Sequence, residues 1–167
     1  MKSQHRAKRS RPMAELEALQ FLRTVFGSAR THDAQVRKIA GVSGSQLWAL
    51  SEIAQQRRGD ELTVNGLSVR MALHQTTASN LVNVLVERGF IQRHRGAPDQ
   101  RVVHLRVTKE GKQLLLRTPQ PHAGLLVDAL RNLEPTQLNQ LSHCLQWVVT
   151  QMRETSATAS GETLMGE

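Results

Sequence analysis

The sequence predicts a mainly helical protein that carries one small β-hairpin. Three observations predict it. Apolar residues recur at three- and four-residue steps through most of the chain, one short run (Val103 to Val107) alternates with period two, and Gly and Pro residues punctuate the joins. Its 167 residues suit one ordinary domain, or one core with appended helices, without covalent staples. With 39% hydrophobic and 22% charged residues, the composition is that of a folding chain.

Residues 1–12 hold Lys2, Arg6, Lys8, Arg9 and Arg11 with no acid, and read as a disordered basic arm ending at Pro12. Residues 13–58 read as N-terminal helices. In the first, Leu16, Leu19, Leu22 and Phe26 share a face, with a kink expected at Gly27 before the helix resumes through Val36 and Ile39. Ser43 or Ser45 caps a second helix with Leu47, Leu50 and Ile53 inward, stopping near Arg58-Gly59.

Within residues 59–117, Thr63 is the expected N-cap of a short helix, Val64 to Ala72. After Leu73-His74-Gln75, a second helix is expected from Thr76 to Arg88, with Gly89 where a left-handed C-terminal residue belongs. Two short helices on a tight link form a helix-turn-helix. The runs Phe90–Arg95 and Arg101–Val107, separated by the turn residues 96–100, form the hairpin. Thr108 caps the next helix. The order is that of a winged helix-turn-helix with a β-hairpin wing.

Residues 118–154 read as C-terminal helices. Pro119 and Pro121 bend or interrupt the first before Leu125 to Leu130, and Glu134-Pro135 opens the last. That helix puts Leu138, Leu141, Leu145, Val148 and Met152 on one face, and residues 155–167 are expected to be a polar, frayed tail.

The formal net charge is +8, and it is uneven: the arm and the segment 60–117 are basic, whereas residues 118–167 hold two basic and five acidic side chains. This suggests a polyanion-facing part and a part facing elsewhere, although a solvated tail with ordinary surface scatter gives the same figures. Aromatics are 3%, which disfavours a base-stacking platform for single strands. The single cysteine, Cys144, precludes an intramolecular disulfide framework or a multi-thiolate metal site. The seven histidines form no helical i, i+4 metal pair; His94 and His104 are placed to meet across the hairpin, as a contact rather than a metal site. No phosphate loop, nucleophile elbow or paired-carboxylate motif occurs, so neither an enzyme nor a cofactor is expected. No apolar run is long enough to span a bilayer and no apolar stretch follows the basic N-terminus, so a soluble cytoplasmic protein is expected.

On a helix from Thr76, Ala78, Leu81 and Leu85 point inward. Thr76, Thr77, Ser79, Asn80 and Asn83 then form a short-chained polar surface that a major groove accepts. Asn80 is the candidate for direct reading of adenine, whereas Gln75 or Thr76 is suited to phosphate. Arg93, Arg95 and Arg101 bracket the wing turn and suit a narrow minor groove. The bland alternatives are a solvated, capped helix and a surface ion pair between Asp99 and Arg101.

The run from Leu62 to Leu115 resembles the MarR family of multiple antibiotic resistance regulators. Three parts carry the resemblance: Leu73 to Phe90, the wing pattern Asp99-Gln100-Arg101 with Leu105, Val107 and Thr108, and Thr108-Lys109-Glu110-Gly111. With the flanking helices it spans roughly residues 14–153. The resemblance implies that Arg101 enters the minor groove and that Asp99 shapes the wing. The family often carries a longer basic residue where Asn80 stands. It implies a homodimer in which the terminal helices intertwine, through Leu16, Leu19, Leu22 and Phe26 at one end and Leu138, Leu141, Leu145 and Val148 at the other. A repressor of a pseudo-palindromic double-stranded DNA operator follows, released by a small aromatic or phenolic ligand. His32, Arg37 and Trp48 are candidates to line that ligand's crevice, with packing and solvation as the alternative for each. Cys144 reads as a buried, inert thiol, with oxidation between subunits as its alternative. The other functional class left open is a winged-helix module that docks on an acidic protein without specific DNA readout.

Overall fold

The computed structural model describes residues 11–56, 62–95, 102–118 and 120–162, with side chains described to Thr158. The chain divides into two compact units, residues 1–128 and 129–167.

The first unit begins with α1 (Arg11–Ala40), a continuous helix. The expected kink at Gly27 is absent: this glycine costs helix propensity but leaves every backbone donor in place. Only Val36 and Ala40, at its C-terminal end, are buried. α2 (Gly44–Ala54) is the centre of the unit, with Leu47, Ala49, Leu50 and Ile53 buried. Ser43 opens it with a reciprocal capping box: the Gln46 amide donates to Ser43 Oγ at 3.2 Å, and Gln46 Oε1 accepts from the Ser43 amide at 2.8 Å. The helix stops at Ala54, earlier than expected, and Arg58-Gly59 lies outside the described residues.

Around α2 pack α3 (Val64–Arg70), α4 (Gln75–Glu87), β1 (Ile91–Arg95), β2 (Val103–Val107) and α5 (Lys109–Arg117). Their buried contributions are Leu67 and Met71, then Ala78, Val82 and Leu85, then Ile91, Leu105, Val107 and Leu114. Burying such side chains stabilises by roughly 1.5–3 kcal/mol each, which is why this segment holds the core. Thr63 caps α3 by accepting from the Gly66 amide at 3.1 Å.

α3 and α4 end the same way. At α3, the Leu73 amide donates to Ser68 O at 2.9 Å and Ala72 to Val69 O at 3.2 Å. At α4, Phe90 donates to Leu85 O and Gly89 to Val86 O, both at 2.9 Å. Each pair is a Schellman motif, which needs a left-handed residue at its turn. Gly89 supplies it at φ 73°, and Ala72 is forced into it at φ 52°. α3 therefore closes before Ala72, and α4 starts one residue earlier than Thr76.

β1 and β2 pair antiparallel, with Ile91 opposite Val107, Arg93 opposite Leu105 and His94 opposite His104. The chain entering α3 lies along the hairpin, Leu62 O accepting from the Leu105 amide at 2.8 Å. Thr108 then ties three segments together. Its hydroxyl oxygen accepts from the Gly111 amide at 3.1 Å, and its proton is shared between Gly89 O at 2.7 Å and Phe90 O at 3.0 Å. A Cβ at Gly111 would lie 2.2 Å from Phe90 O, so the first turn of α5 approaches that backbone only because the residue is glycine.

After α5 the chain does not continue as one bent helix. Thr118 closes α5, its hydroxyl donating to Leu114 O at 2.8 Å, and α6 (Leu125–Arg131) is a separate short helix. Pro119 lies outside the described residues.

The second unit holds α7 (Pro135–Glu162). It runs beyond the expected frayed boundary at Thr155. The hydroxyls of Thr155, Ser156 and Thr158 donate to carbonyls four residues back, so these polar side chains are satisfied within the helix.

Candidate nucleic-acid interface

The buried residues of α4 leave one face open. Thr76, Asn80 and Asn83, spaced four and three apart, are exposed along it, with Gln75 and Thr77 exposed at the first turn. Ser79 is half-buried, beside the core edge rather than at the centre of the polar face. His74, the N-cap, makes no side-chain capping bond.

The wing stands against this helix. Arg93 and Arg95 are exposed on β1, and the Arg93 guanidinium donates to Asn83 Oδ1 at 2.6 Å. The opposite face of the hairpin is also cationic and polar. The His94 and His104 rings lie 5.7 Å apart, and Arg106 Nη2 is 3.4 Å from His94 Nε2. Arg106 is an exposed cation absent from the sequence-based site; period-two alternation with buried Leu105 and Val107 was its signal. Behind α4, Arg88 donates to Gly41 O and lies over the Phe90 ring at 5.3 Å. This anchors the end of the helix to the α1–α2 junction. Asp99 and Arg101 lie outside the described residues.

Two of the candidate ligand residues, Arg37 and Trp48, have side-chain partners within the chain. Arg37 pairs with Asp33 at 2.7 Å. Trp48 Nε1 donates at 2.9 Å to Oε1 of the buried Glu52. His32 is half-buried beside Gly124, and its Nε2 has no hydrogen-bond partner among the described residues. Asp33 also accepts from the Gly44 amide at 2.6 Å. The Arg37 guanidinium, followed by that amide, holds the Asp33 carboxyl below the ordinary aspartate range. This trio thus joins α1 to the first turn of α2.

The apolar stripe of α1 is open: Leu16 is 67% and Phe26 62% exposed, Leu19 is exposed and Leu22 half-buried. In α7, Leu138 is half-buried and Leu141, Leu145 and Val148 are exposed. Cys144 is exposed as well, contrary to the expectation of a buried thiol. Its neighbours Leu141, Leu145 and Val148 are exposed with it, so most of the stripe stays open among the described residues.

A family model described as MarR family matches residues 40–102, from the last residue of α1 into the wing. Over that stretch the chain is similar to the MarR family. It is 28% identical over 120 residues to the transcriptional repressor MprA of Escherichia coli K12, covering 70% of this chain and 68% of that protein. Among solved MarR-type structures, Sco3205 of Streptomyces coelicolor in complex with DNA matches with a TM-score of 0.60 at 22% identity, over 89% of this chain and 90% of that one. The MepR–DNA complex of S. aureus matches at 0.56 and 19%, over 80% and 96%. These structural matches establish the winged-helix fold.

Among the described residues no group of three or more His, Cys, Asp and Glu side chains is gathered to hold a metal ion. No helix among them is long and apolar enough to cross a membrane.

Proposed function

We propose that this chain is a MarR-family transcriptional repressor that binds double-stranded DNA sequence-specifically as a homodimer. The observation that carries this is the joined surface of α4 and β1: an exposed row of Thr76, Asn80 and Asn83, flanked by the arginines of the wing. A helix of this width enters the major groove, where short amide and hydroxyl side chains meet base edges. Arg95, exposed at the end of β1, supplies a cationic extension that suits the minor groove or its phosphates. The relatives support the same reading, MprA being a repressor and the Sco3205 and MepR structures being complexes with DNA.

The stripes on α1 and α7 support dimerisation, each by itself, because most of their apolar residues are exposed among the described residues. A two-fold dimer presents two α4 helices to successive major grooves, so its operator is a pseudo-palindrome. Release by a small aromatic or phenolic acid completes the proposal. His32 is the residue best placed to respond, since its buried Nε2 has no hydrogen-bond partner among the described residues.

The test is selection of fragments from a random duplex pool by the purified protein, with and without aromatic acids. An enriched inverted repeat that an acid competes away supports the whole reading. Enrichment unaffected by any acid removes the ligand clause alone, and no enrichment removes the DNA assignment. Asn80→Ala relaxes base preference within the selected site; an unchanged preference matrix excludes it as a reader.

A further inference from the structure

Asn83 and Arg93 are ten residues apart in sequence and belong to different elements, yet their side chains meet at 2.6 Å. Alternation places Arg93 on the hairpin face of Ile91, Leu105 and Val107, the face turned to the core, so its side chain extends over α4. Guanidinium hydrogens only donate, so the group facing Arg93 must be the carboxamide oxygen of Asn83. The chemistry of the partner, rather than a choice between two similar atoms, fixes which way the amide points. The Nδ2 hydrogens, on the other branch of the carboxamide, are then left for a partner other than the guanidinium, and Asn83 belongs to the exposed row that contains Thr76 and Asn80.

We propose that Arg93 is a positioning residue that turns Asn83 into a directional, donor-presenting reader of base edges. This rests on the proposed entry of α4 into the major groove. An asparagine free to rotate matches adenine through one donor and one acceptor. With its oxygen engaged, Asn83 offers hydrogens, and guanine presents two major-groove acceptors, N7 and O6, to receive them. Cytosine presents a donor there and is the edge it rejects. Asn80 makes no hydrogen bond to another described side chain that would orient it this way. The two asparagines of one helix thus read different chemistry, and the link also holds the wing at a set position against α4.

The experiment compares preference matrices and affinities from duplex selection for the wild type, Arg93→Met, Asn83→Ala, the double variant and Arg95→Met, with circular dichroism confirming that each is folded. The wild type prefers guanine over cytosine by about tenfold at one base pair per half-site. Arg93→Met lowers that preference to about twofold and leaves other positions unchanged, because the freed amide can turn either way. Asn83→Ala abolishes it, and adding Arg93→Met changes it no further. Arg95→Met removes a charge from the same strand and weakens all sequences alike. A wild-type matrix in Arg93→Met, or the same loss of guanine preference in Arg95→Met, overturns the proposal while leaving the DNA-binding reading standing. A wild type that enriches no site overturns that reading itself.

Discussion

At Gly111 a single hydrogen in place of a methyl group decides whether α5 can dock. Its missing Cβ would lie 2.2 Å from a backbone oxygen and 2.8 Å from Val107 Cγ1, neither at the end of a flexible chain. Gly111→Ala is therefore expected to destabilise the protein by about 2–3 kcal/mol, read from the midpoint of urea unfolding. A loss below about 0.5 kcal/mol contradicts the packing account. Asp33 makes a different kind of prediction. Its folded pKa lies below the ordinary 3.8, so its contribution to stability is present above that pH and is lost as pH falls through the folded value. Stability curves of wild type and Asp33→Asn should converge as pH is lowered from 5 toward 2; parallel curves would refute the linkage. The Thr108 cap and the polar row of α4 were legible in the sequence because capping and helical spacing are local, whereas the close approach that Gly111 permits was not. The Arg93–Asn83 bond was not, since no periodicity relates a helix to the strand that folds back on it. Nor was the exposure of Cys144: spacing shows which side chains share a face and is silent on whether that face meets a core.

Helix ends carry the element-scale lesson. Gly89 was readable as a left-handed terminus, whereas the equivalent turn between α3 and α4 is held by Ala72, whose side chain gives no such signal. A left-handed alanine costs roughly 1–2 kcal/mol, and glycine there returns part of this through its looser unfolded state. Ala72→Gly should therefore stabilise the helix-turn-helix by roughly 0.5–1 kcal/mol, measured by thermal or urea unfolding; destabilisation would contradict the Schellman geometry. The order of elements was legible because α2, α3 and α5 carry side-chain caps and each helix of the core has its own apolar face. The length of α7 was misread. Serine and threonine suggest fraying on composition, but here their hydroxyls bond to carbonyls one turn back and the helix proceeds to Glu162.

For the whole molecule, the two units set out the same requirement separately: the N-terminal turns of α1 and the length of α7 expose leucines that a monomer leaves in water. Leu145→Glu, in the middle of the α7 stripe, is expected to give folded monomers in sedimentation and to weaken operator binding by about 100-fold, since paired half-sites bind with avidity. An unchanged dimer with this glutamate would place the interface elsewhere. Operator affinity should also fall steeply with salt, and less steeply once residues 1–12 are removed, because their five cations release counterions from DNA. The most direct test of the central claim, that α4 and the wing read duplex DNA in a two-fold pair, is the sequence the full-length protein selects from a random duplex pool. The account predicts an inverted repeat with half-site centres about 10–11 base pairs apart, one turn of B-form DNA. An enriched single site without two-fold symmetry, or no enriched site, would contradict it.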